Sequence, residues 1–230
     1  KYDLIKVKGK DNFKSFNYNV PSDVSSSLFF IAISVLLNKS ELTLKKININ
    51  SSRMGAIDIL KKMGVKFKFK NKKNYKEELI SDITVKSPKK IKSINCPTSM
   101  NSRAIDEFLI IFLIAAKAEG TSYFKDISEL NQKESPRLKA ASKFLTMIGV
   151  KNYSTNSSIK IKGNPNLKLN GNYVMKNFLK DHRVFMMSTV AALTLGGNWN
   201  IYDPECSKTS FPTFLKLIKN IGGKYKIHKN

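Results

Sequence analysis

Three stretches of the chain are apolar on nearly every helical face. They cover residues 28–37, 108–116 and 184–195. A helix that is apolar all round must be buried, because no face of it suits water. The longest apolar runs are also shorter than the roughly 20 residues that a membrane-spanning helix needs. The pattern therefore predicts three buried helices and no membrane partner.

An aspartate opens each of these predicted helices, at Asp23, Asp106 and Asp181. A carboxylate at a helix start can accept hydrogen bonds from free backbone N–H groups and complements the helix dipole. A strand is expected soon after each helix. The predicted strands cover residues 41–47, 121–127 and 198–202. The same order of elements thus recurs three times.

A second helix in each copy is expected to end at an apolar–glycine pair, before Gly64, Gly149 and Gly222. Glycine suits the left-handed conformation that ends many helices. The number of residues between the aspartate and the glycine is nearly constant in the three copies. Two interpretations fit this pattern: three generic helix–strand units, or one domain of three repeated β/α units at about 21–92, 93–165 and 175–230.

The second interpretation predicts buried helices with sheets outside, the reverse of a (β/α) barrel. A strand should follow each glycine, as the alternation at residues 65–69 indicates. Further strand-like segments lie at residues 83–86 and 159–162. Residues 4–8 and 13–20 are predicted to form another strand pair that leads into the first unit.

The formal net charge of +24 suggests an anionic partner, of which nucleic acid is the first to consider. However, the lysines are spread along the whole chain, and aromatic residues do not interleave with them as a base-stacking groove requires. We therefore expect no nucleic-acid function, although a basic binding module stays open as an alternative. Cys96 and Cys206 form no disulfide framework and have no metal-ligand spacing, which fits a reducing compartment and no metal.

Arginine is scarce in this lysine-rich chain and is therefore informative. Of 41 basic residues only four are arginine, and two of them, Arg137 and Arg183, lie in dense polar strings that open apolar helical patterns. The planar guanidinium binds a carboxylate or phosphate through two parallel hydrogen bonds, which lysine cannot do. Charge at a helix start is suited to holding a small anion.

Five strings, in order, resemble the 5-enolpyruvylshikimate-3-phosphate synthase family. They are Pro-Ser-Asp-Val-Ser-Ser at 21–26, Ile-Asp-Glu-Phe at 105–108, Glu-Leu-Asn-Gln-Lys-Glu-Ser-Pro-Arg-Leu at 129–138, Asp-His-Arg at 181–183 and Thr-Ser-Phe-Pro at 209–212. The resemblance covers residues 20–223 or so. It implies the C-terminal half of a two-domain enzyme, in which each domain is an inside-out α/β barrel of three repeated units.

The resemblance also implies a reaction. The family moves the enolpyruvyl group of phosphoenolpyruvate onto the 5-hydroxyl of shikimate 3-phosphate and releases phosphate, without metal or organic cofactor. The family's N-terminal domain would supply the rest of the site and is absent from these residues. We expect a cytoplasmic monomer, inactive without that domain, with Arg137 and Arg183 open to solvent in the half-site.

By resemblance, each candidate site residue has an expected role. Glu134 is the acid and base at the methylene carbon, and Asp106 holds the sugar-like substrate near its 5-hydroxyl and acts as the base. Lys133 contacts the same substrate, while Arg137 and Arg183 bind phosphoenolpyruvate. His182 lies at the edge as a hydrogen-bond partner. Lys208 is a further candidate, displaced by one residue from the family's phosphoenolpyruvate-binding lysine.

Each assignment has a structural alternative. The aspartates at 106 and 181 could be helix caps, which is the main interpretation for Asp23. Glu134 could be a surface residue, and the two arginines could form surface salt bridges. Arg53 could reach the domain interface. Pro136 stands where the family has an aspartate, so a carboxylate near Arg137 is expected to be lost, and Ser135 is expected to cap the helix.

Two other functions remain open from the sequence. UDP-N-acetylglucosamine enolpyruvyl transferase shares the fold and the chemistry, although the Lys-Glu-Ser-x-Arg and Asp-His-Arg strings point away from it. The basic nucleic-acid-binding module belongs to another class. Steeply salt-dependent binding to duplex DNA would support that module.

Overall fold

The computed structural model describes residues 4–9, 12 and 14–228. This part of the chain contains seven α-helices and eight β-strands. The helices are α1 Val24–Leu36, α2 Gly55–Lys62, α3 Asn101–Ala104, α4 Phe108–Ala115, α5 Arg137–Met147, α6 His182–Leu195 and α7 Phe214–Asn220. The strands are β1 Glu41–Asn48, β2 Phe67–Tyr75, β3 Glu78–Lys86, β4 Thr121–Phe124, β5 Asn152–Ser154, β6 Ile159–Lys162, β7 Leu169–Met175 and β8 Gly196–Ile201.

Helices α1, α4 and α6 form the centre of the molecule, and each packs against the other two. All eight residues of α4 are buried, as are twelve of the thirteen residues of α1. Burial of each large apolar side chain stabilises the fold by about 1.5–3 kcal/mol relative to exposure. The prediction of three buried helices is confirmed, and a charged residue at Ile111, which is fully buried, would break this packing.

The sheets lie outside this helical centre, as predicted. Two sheets are three-stranded and antiparallel, in the orders β1-β3-β2 and β4-β6-β5. The third pairs β7 with β8 in parallel. In β6 the buried residues Ile159 and Ile161 alternate with exposed lysines, which is the period of a strand with one face on the core.

Backbone pairing shows how the three units repeat. The segment that enters α1 pairs in parallel with β1 through Ser22 and Ile47, and the segment before α3 pairs in parallel with β4 through Asn95 and Tyr123. In the third unit the equivalent pairing is the full β7–β8 ladder. Each buried helix thus connects two parallel extended segments. As a result, the N-terminal ends of these helices come together at one end of the molecule.

The predicted helix ends are confirmed at all three glycines. Gly64, Gly149 and Gly222 have positive φ angles of 93°, 76° and 93°. An L-residue with a side chain rarely adopts this conformation, so the glycines stop the helices where the sequence predicts.

Some predicted strands are absent. Residues 4–9 and 14–20 form no strand, so the predicted strand pair is wrong for the described residues, and Phe13 lies outside them. Residues 223–228 also form no strand after the last glycine.

No helix in the described part is long and apolar enough to cross a membrane. Cys96 and Cys206 are free and buried, and burial raises the pKa of their thiols to about 11 and about 12.

Candidate active site

A cluster of charged side chains lies at the N-terminal ends of α4, α5 and α6. Asp106 lies in the 3₁₀ turn Ile105–Glu107 just before α4, and Lys133 and Glu134 lie in the loop before α5. Arg137 is the first residue of α5, and His182 is the first residue of α6. The fold therefore brings three separate strings of the sequence to one place.

Arg137 and Asp181 form the buried centre of this cluster. The Arg137 side chain is only 1% exposed, and the Asp181 side chain is fully buried. Arg137 donates to both carboxylate oxygens of Asp181, through Nε at 2.9 Å and Nη2 at 3.4 Å. The Asp181 carboxylate also accepts from Ser135 Oγ at 2.8 Å and from the backbone N–H of Arg183 at 2.9 Å. Four donors thus compensate the desolvation of one carboxylate.

The charge of Asp181 is favoured by these contacts. Burial disfavours the ionised carboxyl, but the hydrogen bond and charge of Arg137 with the other donors outweigh it and lower the pKa of Asp181. Asp181 is the cap of α6, as one interpretation predicts, because its carboxylate accepts from the first turn of that helix. It is also the main partner of Arg137, which the sequence did not indicate.

Asp106 is surrounded by three cations. Its carboxylate lies 3.3 Å from Arg137 Nη1, 3.5 Å from Lys133 Nζ and 3.9 Å from Arg183 Nη2. Partial burial disfavours its charge, but Arg183, Lys133 and Arg137 together outweigh burial and lower the pKa of Asp106. The carboxylate is therefore ionised at neutral pH. About a third of the side chain, 30%, is exposed to solvent, so a ligand can reach it.

Glu134 and His182 lie on the open side of Arg137. Glu134 accepts a hydrogen bond from Arg137 Nη2, and its second oxygen is 3.8 Å from His182 Nδ1. About half of the Glu134 side chain is exposed, so the carboxyl can leave this contact by rotation. Desolvation, followed by the nearby Arg183, lowers the pKa of His182, so the ring is neutral at pH 7.

Lys133 and Arg183 complete the ring around Asp106. Lys133 also pairs with Glu129 at 2.9 Å, and that hydrogen bond is the main cause that raises the pKa of Lys133. Arg183 donates from Nη1 to the backbone carbonyl of Asp106 at 2.8 Å. Arg183 therefore fixes the backbone of the turn that carries Asp106 and also stabilises the charge of the Asp106 carboxylate. The cluster as a whole can hold an anion, and two partly exposed carboxyl groups, those of Asp106 and Glu134, contact the same guanidinium at its open side.

Several expectations about individual residues are wrong. Asp106 caps no helix, because it lies inside the 3₁₀ turn and Glu107 precedes α4 without a side-chain cap. Ser135 does not cap α5 either; its hydroxyl donates to Asp181 instead. Arg137 is neither solvated nor part of a surface salt bridge, and Arg183 is 15% exposed.

Two further expectations concern charge near the site. Pro136 replaces the family's aspartate, but Arg137 still has three carboxylate partners. They are Asp106, Glu134 and Asp181. Lys208 lies in a 3₁₀ helix, is largely exposed and pairs with Glu205 at 2.6 Å. Among the described residues, no ion pair or hydrogen bond joins Lys208 to the cluster.

A second polar group lies beside the cluster and was not singled out from the sequence. Ser25 and Glu107 are both buried, and Ser25 Oγ donates to Glu107 Oε1. Arg53 Nη2 donates to Ser25 Oγ at 2.7 Å and lies 3.4 Å from Asp23. Asp23 caps α1 through the N–H of Ser26, as predicted. Both buried residues lie inside strings that carry the family resemblance. Their place in those strings is the sequence signal that could have identified them.

Comparison with known proteins identifies the family of this chain. The model of the family described as EPSP synthase (3-phosphoshikimate 1-carboxyvinyltransferase) matches residues 1–218. A 3-phosphoshikimate 1-carboxyvinyltransferase of Ruthia magnifica is 35% identical over 93% of this chain, which spans 48% of that relative. A relative of the same name from Thermoanaerobacter sp. is 38% identical over 86% of this chain and 46% of its own length.

Solved structures show the same likeness. EPSP synthase from Acinetobacter baumannii superposes with a TM-score of 0.85 at 32% identity, over 91% of this chain and 48% of that one. The enolpyruvyl transferase NikO from Streptomyces tendae, at 15% identity and a TM-score of 0.62, shares the fold over 87% of this chain and 43% of its own. The predicted fold class is confirmed. The chain spans about half the length of the relatives it matches, and it belongs to the EPSP synthase family.

Proposed function

We propose that this chain is the C-terminal domain of a two-domain 3-phosphoshikimate 1-carboxyvinyltransferase. The whole enzyme would move the enolpyruvyl group of phosphoenolpyruvate to the 5-hydroxyl of shikimate 3-phosphate and release phosphate, a step of aromatic amino acid biosynthesis. Family membership and the half-length match to its relatives support this proposal. The same evidence weighs against a nucleotide-sugar substrate and against a nucleic-acid-binding module.

The observation that carries the proposal is the ring of three cations around Asp106. An ionised carboxylate that faces a partly open site can accept a hydrogen bond from a substrate hydroxyl. In this role Asp106 and Lys133 bind shikimate 3-phosphate, and Asp106 takes the 5-hydroxyl proton as the oxygen attacks. The lowered pKa of Asp106 makes it a weak base. One of its three cations must therefore move away from Asp106 toward the phosphate or carboxylate group of the incoming substrate, so that Asp106 can take the proton.

Arg137 and Arg183 are the proposed ligands of phosphoenolpyruvate. Because Arg137 is buried and already contacts three carboxylates, an anion can bind it only in exchange for one of them. Glu134 is the most exposed of the three, so we infer that phosphoenolpyruvate displaces Glu134 from Arg137 Nη2. The exchange frees the Glu134 carboxyl beside the bound substrate.

Glu134 then performs the carbon chemistry. Its carboxyl gives a proton to the methylene carbon while the 5-hydroxyl oxygen bonds to the neighbouring carbon, which forms a tetrahedral intermediate. In the second step the Glu134 carboxylate removes a proton from the methyl group as phosphate leaves, which restores the double bond. Neutral His182, close to Glu134, serves as a hydrogen-bond partner rather than a proton carrier.

The remaining parts of the site would come from the N-terminal domain of the same protein. The cluster is open on the side where Asp106 and Glu134 are exposed, which is where a second domain has to close. We propose that residues 1–230 form a single domain with half of the active site. Lys208 stays a further candidate ligand of phosphoenolpyruvate, because its exposed ion pair with Glu205 can exchange for a bound anion.

A Glu134→Gln substitution in the full-length protein tests the proposal. The variant should bind both substrates nearly normally but release phosphate at least about 100-fold more slowly, because the general acid is lost. Glu41→Gln is the matched control, since Glu41 is also half exposed and also pairs with a cation, Lys86. Phosphate release with the two substrates measures both. No phosphate release by the wild type would refute the function, and a Glu134→Gln variant as fast as the control would refute the role of Glu134.

A further inference from the structure

A hydrogen-bonded chain leads from an exposed arginine to the residue next to Asp106. Arg53 Nη2 donates to Ser25 Oγ at 2.7 Å, and the Ser25 hydroxyl donates to Glu107 Oε1. The hydroxyl has one proton, and it is directed at Glu107 because its lone pairs face the guanidinium. The three residues come from the loop before α2, the first turn of α1 and the turn before α4. The chain therefore joins the first unit to the second.

The two inner members of this chain are buried. Ser25 is 1% exposed and Glu107 is 5% exposed, whereas about half of the Arg53 side chain is open to solvent. Burial raises the pKa of Glu107, and the hydrogen bond from Ser25 together with the charges of Arg183 and Arg53 acts against this rise. A buried carboxyl needs hydrogen-bond partners to stay where it is. Ser25 supplies one, and Arg53 orients Ser25.

The turn that carries Asp106 is held from two sides. Arg183 Nη1 donates to the backbone carbonyl of Asp106 at 2.8 Å, and Ser25 holds the side chain of the next residue, Glu107. These contacts lie on either side of one peptide bond. The direction of the Asp106 side chain therefore depends on both.

We propose that Arg53, Ser25 and Glu107 are positioning residues that fix the Asp106 carboxylate for the reaction. The inference rests on the proposed function for its catalytic meaning and on the hydrogen-bonded chain for its geometry. Within the part of the chain that the structure describes, no hydrogen bond or ion pair joins the side chains of these three residues to Asp106 or Glu134. A displacement of about 1 Å at a reacting group can slow an enzyme about 100-fold, so a remote contact of this kind can matter.

Hydrogen exchange in the full-length protein tests the geometry without requiring activity. Ser25→Ala removes the donor to Glu107, and Arg53→Gln removes the guanidinium from a half-exposed side chain. In both variants the amides of residues 105–108 should exchange about 10-fold faster, the effect of losing one hydrogen bond. Lys86→Gln, which removes an exposed cation of the same unit, should leave them unchanged. Unchanged exchange in Arg53→Gln and Ser25→Ala would overturn the proposal.

Kinetics test the catalytic meaning. Arg53→Gln should lower kcat about 10-fold and leave the KM for phosphoenolpyruvate within about 2-fold. In an Asp106→Asn background the same substitution should have no further effect, because there is no carboxylate left to position. An equal loss in both backgrounds would show a general structural role and overturn the proposal. If the wild type releases no phosphate, the proposed function fails, and hydrogen exchange alone decides the positioning role.

Discussion

Two arginine clusters lie at the same end of the molecule and are built from the same parts. In each, an arginine near the start of a unit's second helix and a serine of the same unit are hydrogen-bonded in one group with a buried carboxyl group at the start of the next unit's buried helix. The residues are Arg137, Ser135 and Asp181 in one cluster and Arg53, Ser25 and Glu107 in the other. The two arginines hold corresponding places in the repeat, but their partners do not. Ser135 precedes α5 whereas Ser25 lies on α1, and the repeat pairs Asp181 with Asp106 rather than with Glu107.

The clusters differ in how the arginine reaches the carboxyl group. Arg137 contacts Asp181 directly and is buried, whereas Arg53 reaches Glu107 only through Ser25 and stays half exposed. The direct pair lowers the pKa of Asp181, whereas desolvation raises the pKa of Glu107. An arginine, a serine and a carboxyl group can therefore hold a structure together in one unit and adjust a neighbouring side chain in another.

The largest expected effect is on stability, from Asp181→Asn. This change leaves Arg137 buried without its bidentate partner, which should lower the free energy of unfolding by about 3–5 kcal/mol. Asp23→Asn is the matched control, because Asp23 also caps a buried helix and pairs with an arginine but is half exposed. It should cost at most about 1 kcal/mol, because asparagine caps a helix about as well as aspartate and an exposed ion pair contributes little. Urea denaturation of both variants measures the difference, and equal losses would show that the buried cluster has no special role.

The next effect concerns the binding of phosphoenolpyruvate. Arg183→Lys in the full-length protein keeps the charge but loses the second donor of the guanidinium. Binding of phosphoenolpyruvate should weaken by about 1.5–3 kcal/mol, the value of one charge-assisted hydrogen bond. Shikimate 3-phosphate is the internal control and should lose less affinity, because Arg183 affects it only through the turn that carries Asp106. Titration calorimetry measures both, and equal weakening would indicate a folding defect rather than a lost ligand.

The smallest effect is on the pH dependence of the free energy of unfolding, which should have opposite signs for Asp181 and Glu107. The pKa of Asp181 is lowered on folding, so its contribution to stability is complete above its unfolded value of about 3.9 and is lost as the pH falls toward the folded value. The pKa of Glu107 is raised, so the folded state binds its proton more tightly, and that contribution is lost as the pH rises through the folded value.

Unfolding free energies between pH 3 and pH 7 test these two signs. Asp181→Asn should flatten the fall in stability below about pH 4, and Glu107→Gln should flatten the fall above about pH 4.5. The same slope change in both variants would contradict the contrast between the clusters.

The central helices could be predicted from the sequence because their pattern is local. Residues 28–37 and 108–116 are apolar on all faces, and burial is the only stable outcome. By contrast, β7 was not predicted, since Leu169–Met175 contains glycine and asparagine and becomes a strand through parallel pairing with β8. The predicted strand at residues 4–8 shows the opposite case, in which alternation is present but the described structure gives it no neighbouring strand.

The site residues could be identified from their strings, but their contacts could not. Asp106 and Arg137 are drawn together from 31 residues apart, and Arg137 and Asp181 from 44 residues apart. Whether an arginine is buried depends on such distant partners, so the expectation of a solvated Arg137 was wrong. The Ser25–Glu107 contact spans 82 residues and joins two units, which no local pattern encodes.

The most direct test of the account is the turnover of Asp106→Asn against Asp58→Asn in the full-length protein. Both aspartate side chains are 30% exposed, and each pairs with an arginine and a lysine, but Asp58 lies on α2, outside the cluster. Phosphate release from phosphoenolpyruvate and shikimate 3-phosphate should fall at least about 100-fold in Asp106→Asn and stay within about 3-fold of wild type in Asp58→Asn. Similar turnover in the two variants would contradict the claim that the carboxylate within the ring of cations is the centre of the reaction.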